Sequence, residues 1–92
     1  MLSKEQRLKL KQQAHHLKPV VLIGQKGLTA AVINETNLAL KAHECIKIKM
    51  NGSDKDDRHS LTQTLCQHLN AELIENIGHM VVLYRQKDAI FK

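Results

Sequence analysis

A chain of 92 residues, 42% hydrophobic and 25% charged, is long enough for one globular domain and too short for a second hydrophobic core. The net charge is +5, and the excess is uneven, because residues 1–49 hold nine Lys and Arg against three acids and residues 50–92 hold five against six. This imbalance favours one basic surface that binds a polyanion, although a general effect on solubility would give the same composition.

The composition also argues against a membrane protein, because no run of about 18 apolar residues occurs in the chain. The N-terminal residues lack the apolar core of a signal peptide, so we expect a cytoplasmic protein. Cys45 and Cys66 stand apart without a C-x-x-C pair, which is typical of reduced thiols in that compartment.

The first predicted helix begins at Ser3, because Ser3 followed by Gln6 forms a capping-box pattern. The helix should run to about Leu17, since Pro19 disfavours helical geometry at the residue before it. Its inward stripe consists of three residues at helical spacing: Leu10, Ala14 and Leu17. The adjoining face is almost continuously basic and carries Lys4, Arg7, Lys11, His15 and Lys18.

Residues 20–23 form an aliphatic run of the kind expected for a strand buried on both faces. Gly24 ends this strand, and Gly27 closes a loop of two residues. A second helix should follow from about Thr29 to Ala42, with Thr29 as its N-cap. Its inward residues are Val32, Ile33, Thr36 and Leu40.

Residues Cys45–Met50 alternate between apolar and basic, which predicts a strand with one apolar face. The apolar positions are Ile46, Ile48 and Met50, and the basic positions are Lys47 and Lys49. After a turn at residues 51–53, a third helix should extend from about Asp54 to His68, with acids at its positive start. Its inward stripe is Leu61, Leu65 and Leu69.

The end of the chain predicts a hairpin with strands Glu72–Ile77 and Met80–Tyr84, joined by a type II′ turn at Gly78-His79. The element order α-β-α-β-α-β-β indicates the α+β class. We expect a single domain over residues 1–92, with its core at about 3–85. Its mixed four-stranded sheet should carry three helices, with a parallel right-handed β-α-β unit and an antiparallel terminal hairpin.

The loop Gly24-Gln25-Lys26-Gly27 lies between a predicted strand and the start of a helix. Glycine tolerates positive φ and lets a ligand approach the backbone closely, and the following helix start favours a phosphate. Because the loop also contains the basic Lys26, it could clamp a sugar-phosphate backbone, as the G-x-x-G loop of KH domains does. A purely structural turn is the alternative. The spacing fits neither a Walker A motif nor a dinucleotide fingerprint.

The aromatic content limits how such a loop could recognise a nucleic acid. Tyr84 and Phe91 are the only aromatic residues, so no platform exists on which several bases could stack. This composition disfavours an RRM or an OB-fold. Recognition should therefore depend mainly on phosphates and RNA shape, and hence on salt concentration.

Three segments resemble the signature of the CRM domain, which occurs alone in bacterial YhbY-like proteins: residues 17–29 (LKPVVLIGQKGLT), 43–49 (HECIKIK) and 76–85 (NIGHMVVLYR). The matches follow in order across nearly the whole chain. There are two departures: His79 stands where the family often has Lys, which removes a permanent positive charge, and Cys45 stands where Leu is common.

The resemblance implies an RNA-binding fold similar to the C-terminal domain of translation initiation factor three. Bacterial members are associated with precursors of the large (50S) ribosomal subunit, and plant relatives with intron splicing. It also implies RNA contact at the G-x-x-G positions. With the flanking basic residues, the candidate RNA-binding set is Gly24, Gln25, Lys26, Gly27, Leu28, Thr29, Lys4, Arg7, Lys11, Lys18, Lys47 and Lys49.

Other classes of function have less support in the sequence. The histidines show no zinc-site spacing, the acids after residue 53 lack the order of an EF-hand, and neither cysteine sits in a catalytic pattern. We therefore expect no metal, no cofactor and no enzymatic activity. The expected partner is RNA, in particular ribosomal RNA of precursor large subunits, bound by a monomer. A protein–protein adaptor that docks on a ribosomal protein or another acidic partner is the alternative.

Overall fold

The first helix, α1 (Lys4–Ala14), begins as predicted and ends three residues before the predicted boundary at Leu17. In the computed structural model, which describes residues 2–24, 26–51 and 54–86, Ser3 Oγ accepts from the Gln6 amide at 3.1 Å and Gln6 Oε1 accepts from the Ser3 amide at 2.8 Å. This confirms the capping box. The helix ends early because the Leu17 amide bonds the Ala14 carbonyl at 3.0 Å, a tightened last turn.

Four strands form one mixed sheet in the order β1-β2-β4-β3. Their bounds are Val21–Ile23 for β1, Cys45–Met50 for β2, Glu72–Ile77 for β3 and Met80–Tyr84 for β4. β1 pairs with β2 in parallel, whereas the pairs β2–β4 and β3–β4 are antiparallel. The predicted class, element order and pairing senses are thereby confirmed.

The main core lies between the sheet and the other two helices, α2 (Ala30–His43) and α3 (Lys55–Leu69). The predicted inward stripes of both helices are confirmed, since Thr36, Leu40, Leu65 and Leu69 are buried and the remaining members pack against the same cluster. The apolar side of β2 is buried with them, as its alternation predicts.

α1 covers part of the opposite face of the sheet, where a smaller core forms. Ala14 is buried there against Ile74 and Val82, and the two leucines of the predicted stripe are partly buried beside them. The terminal hairpin turns as predicted, because Gly78 has a φ of +56° and His79 does not have a positive φ, the combination that a type II′ turn requires. No helix among the described residues is long and apolar enough to cross a membrane.

The prediction that residues 20–23 are buried on both faces is wrong. β1 is an edge strand, and its burial alternates: Val21 and Ile23 face the main core, whereas Leu22 is 58% exposed. Val20, which precedes the strand, is also exposed. The aliphatic run correctly marked a strand, but it could not reveal that α1 leaves this part of the sheet uncovered.

Candidate functional site

The glycine loop lies where the strands finish, at the carboxyl ends of β1 and β2, and three connections meet at this edge of the sheet. Ile23, the residue before Gly24, is the register partner of Met50 at the end of β2, and the Asn51 amide donates to the Ile23 carbonyl at 2.8 Å. The Met50 amide in turn donates to the carbonyl of His79 in the hairpin turn at 2.8 Å. The loop therefore shares its edge with the connection after β2 and with the β3–β4 turn.

The loop closes as a tight turn, because the Gly27 amide donates to the Gly24 carbonyl at 3.0 Å. Gly27 has a φ of +71°, a conformation that favours glycine. A Cβ added at Gly27 would lie 3.7 Å from Leu61 Cδ2 of α3, which is ordinary contact. The requirement for glycine at position 27 is therefore conformational. Gln25 lies outside the described residues.

Gly24 differs from Gly27 in both respects. Its φ is not positive, and an added Cβ would meet no atom within 4 Å. The fold does not require glycine at position 24, and the position is exposed next to the exposed Lys26. Gly24 therefore offers a bare stretch of backbone to an external ligand, whereas Gly27 shapes the turn.

The start of α2 is capped and carries no acidic side chain. Thr29 Oγ1 accepts from the Val32 amide at 3.1 Å, which confirms the predicted N-cap. α1 and α3 both have acids in their first turns, but α2 has none. The positive end of its dipole thus remains uncompensated by the first turn and favours an anion. Leu28, also a candidate contact, is half-buried and packs against the main core.

Two of the predicted basic residues lie on the sheet near the loop. Lys49 is exposed and is the register partner of Leu22, which lies two positions before Gly24. Lys47 lies two residues before Lys49 in β2 and therefore points to the same face of the sheet. Together with Lys18 and Val20, it lines a shallow depression. The structure thus extends positive charge from the loop along β2 towards Lys18.

The helical lysines and arginine do not form one continuous surface with the loop. Arg7 Nη1 donates to the Leu73 carbonyl at 3.1 Å, and Nη2 forms an ion pair with Glu72 Oε2 at 3.0 Å. Glu72 begins β3 and Ile77 ends it at the edge of the sheet that carries the loop, so Arg7 lies roughly 16 Å along the sheet from that edge. Lys4, at the start of α1, belongs to the same distant end, and Lys11 follows one turn after Arg7.

One known protein family matches nearly the whole chain. The model of the CRS1 / YhbY (CRM) domain matches residues 2–85, which include every helix and strand among the described residues. The chain belongs to the CRM domain family. This confirms the family that the three sequence segments indicate.

Relatives of this CRM chain are found in several bacteria. A Pseudomonas aeruginosa protein named a probable RNA-binding protein is 40% identical over 85 residues, which cover 92% of this chain and 82% of that protein. A Haemophilus influenzae protein named an RNA-binding protein is 40% identical over 87 residues, covering 95% and 88%. The solution structure of a Staphylococcus aureus protein, described as a candidate RNA-binding protein, superimposes with a TM-score of 0.83 at 32% identity, covering 96% and 92%.

Two side chains of the CRM fold have contacts that the sequence did not predict. Arg85 donates from Nη1 to Asn37 Oδ1 at 2.9 Å and to the Leu69 carbonyl at 3.0 Å, which ties the end of β4 to α2 and α3. His79 Nδ1 lies 2.9 Å from the Met50 carbonyl oxygen at the edge that carries the loop. Both residues fall in the segment that resembles the family, but a segment match does not specify a partner distant in sequence.

The two cysteines occupy packing positions. Cys45 packs in the smaller core and Cys66 against the main one. Burial raises the pKa of both thiols above the usual value, which disfavours the nucleophilic thiolate. Among the described residues, no group of three His, Cys, Asp or Glu side chains could hold a metal ion.

Proposed function

We propose that this protein binds RNA by its sugar-phosphate backbone at the loop Gly24–Gly27. The observation that carries this proposal is the combination of the open backbone at Gly24, the exposed Lys26 and the acid-free start of α2. A phosphate at this position would meet backbone amides, the positive end of a helix dipole and an ammonium group together. The names of the relatives, which describe RNA-binding proteins, support RNA as the polyanion.

The contact extends from the loop to the lysines of β2. Lys49 and Lys47 would position further phosphates of the same RNA, with Lys18 at the far end of this strip. Thr29 and Leu28 contribute by fixing the helix start, through capping and packing respectively. Arg7 contributes to the joint between α1 and β3, and the charges of Lys4 and Lys11 on α1 add long-range attraction.

We further propose that the RNA is ribosomal RNA in precursors of the large subunit and that the protein acts there as a non-catalytic assembly factor. The CRM resemblance supports this target, since bacterial YhbY-like members are associated with such precursors. The protein would act in the cytoplasm as a monomer. Both cysteines are only partly buried, and burial raises the pKa of their thiols, which is consistent with a role without covalent chemistry.

Charge reversal in the loop tests the proposed contact. Lys26→Glu should lower the affinity for RNA on the order of tenfold, because a charge-assisted hydrogen bond is lost and a repulsion is added. Lys41→Glu is the matched control, since Lys41 is exposed in the last turn of α2, about 16 Å from its start. Equal affinities for the two variants in filter binding would contradict the proposal.

Co-sedimentation tests the proposed target and separates it from the alternative. In sucrose gradients of cell extract, the protein should move with precursor large subunits and should crosslink to their RNA under ultraviolet light. An adaptor that docks on a ribosomal protein would also co-sediment, but its crosslinks would go to protein, and Lys26→Glu would leave its sedimentation unchanged. Sedimentation as free protein would overturn the assembly role.

A further inference from the structure

Four side chains form a row across all four strands on the face of the sheet that α1 only partly covers. Leu22 of β1 is the register partner of Lys49 of β2, Lys49 is the partner of Met80 of β4, and Met80 is the partner of Ile77 of β3. Register partners point to the same face, so the four side chains are neighbours. We call this set the open row.

The open row exposes aliphatic surface to solvent. Leu22 is 58% exposed and Ile77 is 56% exposed, and Met80 between them is half-buried. α1 does not reach them, because it packs against Ile74 and Val82 farther along the sheet. Single exposed aliphatic residues are ordinary, but an alignment across a sheet is typical of a contact surface.

The charge and position of the open row indicate its partner. Lys49 stands within the row, which contains no acidic residue. The next row on the same face carries Lys47 of β2 and Glu75 of β3, and the Glu75 carboxylate lies 3.9 Å from His15 Nε2 of the segment after α1. Among the described residues, no ion pair engages either lysine. One end of the row is Leu22, which lies two positions before Gly24. A polymer bound at the loop would therefore lie close to this end of the row.

We infer that unpaired bases of the RNA held at the loop lie on the open row, an inference that rests on the proposed function. The aliphatic side chains would cover the faces of the bases, and the Lys49 ammonium would contact a phosphate between them. The row spans three strand spacings, about 14 Å, which leaves room for a few bases. Phosphate contacts alone do not read the bases, whereas the open row adds a preference for unpaired bases.

The scarcity of aromatic residues limits how strongly the open row can hold bases. Without aromatic rings, stacking of the strength seen on aromatic platforms is absent. Aliphatic surface removed from water still contributes in proportion to its area. The open row would therefore give a modest gain with little dependence on which base is present, because every base has an apolar face.

The test uses three RNA probes and paired variants. The probes are a short single-stranded RNA of mixed sequence, an abasic RNA of the same length, and a duplex of the same sequence. The row variant combines Leu22→Gln with Ile77→Gln. Its matched control combines Leu8→Gln with Leu38→Gln, because these leucines are 57% and 55% exposed on α1 and α2. Thermal melting checks that both variants are folded.

The row variant should lose about fivefold to tenfold in affinity for the single-stranded RNA, while its affinities for the abasic RNA and the duplex stay unchanged. The control should bind all three probes like the natural protein. An equal loss for all probes, or no loss for any, would overturn the inference. A dimer in sedimentation that the row variant dissociates, without the selective loss, would instead assign the row to self-association.

Lys26→Glu separates this outcome from a failure of the proposed loop contact. If the loop binds the backbone, Lys26→Glu weakens all three probes together, in contrast to the selective loss in the row variant. If Lys26→Glu changes nothing while the row variant remains selective, the loop proposal fails and the base contact stands. If the natural protein binds none of the probes, both proposals fail.

Discussion

The imidazole of His79 extends the sheet beyond its last backbone pair, because Nδ1 lies 2.9 Å from the Met50 carbonyl oxygen. A carbonyl oxygen can only accept, so Nδ1 carries the hydrogen and donates. The Met50 amide donates in turn to the His79 carbonyl at 2.8 Å, so the two residues are joined by a pair of hydrogen bonds. This pair fixes the β3–β4 turn against the end of β2, close to the glycine loop.

His79→Ala should lower the free energy of unfolding by about 1 kcal/mol, because it removes a partly buried hydrogen bond and leaves the Met50 carbonyl without its side-chain donor. Urea denaturation measures the loss. His59→Ala is the control, since His59 is exposed on α3. If both variants unfolded at the same urea concentration as the natural protein, the bond would have no stabilising role.

The two glycines of the loop should respond differently to alanine. Gly27→Ala should destabilise the protein by about 1 kcal/mol, because residue 27 has a positive φ that alanine adopts at a cost. Gly24→Ala should change the free energy of unfolding by no more than a few tenths of a kcal/mol, or raise it slightly. It should nevertheless weaken RNA binding, because the added methyl group crowds the open backbone. Denaturation and filter binding on the same samples measure both effects.

Gly78→Ala calibrates this comparison. Gly78 also has a positive φ, +56°, and an added Cβ would meet no atom within 4 Å, so alanine there should destabilise the protein through the backbone alone. Equal stability losses at Gly24 and Gly27 would contradict the assignment of different roles. Unchanged RNA affinity in Gly24→Ala would show that no ligand approaches there.

The local signals in the sequence predicted most of the fold. The capping box at Ser3, the N-cap at Thr29, the alternation in β2 and the turn at Gly78 each depend on residues within a few positions of one another. Such patterns act through neighbouring backbone groups, so the sequence displays them directly. The strand senses followed from the element order because crossovers and hairpins constrain pairing.

What the sequence did not predict depends on contacts between distant residues. The periodicity of α1 marked Arg7 as part of a basic face, but its partners Glu72 and Leu73 lie more than sixty positions away. Likewise, Leu22 looked buried because aliphatic character does not show where a helix ends over a sheet. The candidate loop and Lys49 were predicted from the sequence, whereas the contact between His79 and the Met50 carbonyl was not, because those residues lie 29 positions apart.

The thiols should react slowly near neutral pH. Burial raises the pKa of Cys45 and Cys66, so the thiolate fraction at a given pH is smaller than for a free cysteine with a pKa of about 8.5. Alkylation by iodoacetamide, followed by mass spectrometry, should be slower than for the urea-unfolded chain and should accelerate at alkaline pH. A rate equal to that of the unfolded chain at neutral pH would contradict the burial of both thiols.

The same shift gives stability a direction with pH. Because the folded thiols hold their protons to higher pH than the unfolded ones, their burial leaves stability unaffected below the unfolded pKa. As the pH rises above about 8.5, the unfolded chain releases protons first, and the free energy of unfolding falls. Urea denaturation should show this fall, and Cys45→Ala with Cys66→Ala should reduce it. An unchanged alkaline slope would assign the loss to other groups.

The salt dependence of RNA binding should separate lysines that contact phosphate from basic residues that do not. When a lysine that contacts a phosphate is replaced by an uncharged residue, the slope of log affinity against log salt concentration should become shallower by about 0.7 for a single strand. Lys26→Gln and Lys49→Gln should each show this reduction, because both side chains are exposed. Lys26 lies within the loop, and Lys49 is the register partner of Leu22, two positions before Gly24. Arg7→Gln should leave the slope nearly unchanged, since the Arg7 guanidinium donates to Glu72 and to the Leu73 carbonyl at the far end of the sheet.

The effect of Arg7→Gln should appear instead as a loss of at most about 1 kcal/mol in unfolding free energy, as expected for a half-exposed ion pair with one backbone bond. Titrations at several salt concentrations measure the slopes, and an equal reduction in all three variants would restore Arg7 to the RNA-binding surface.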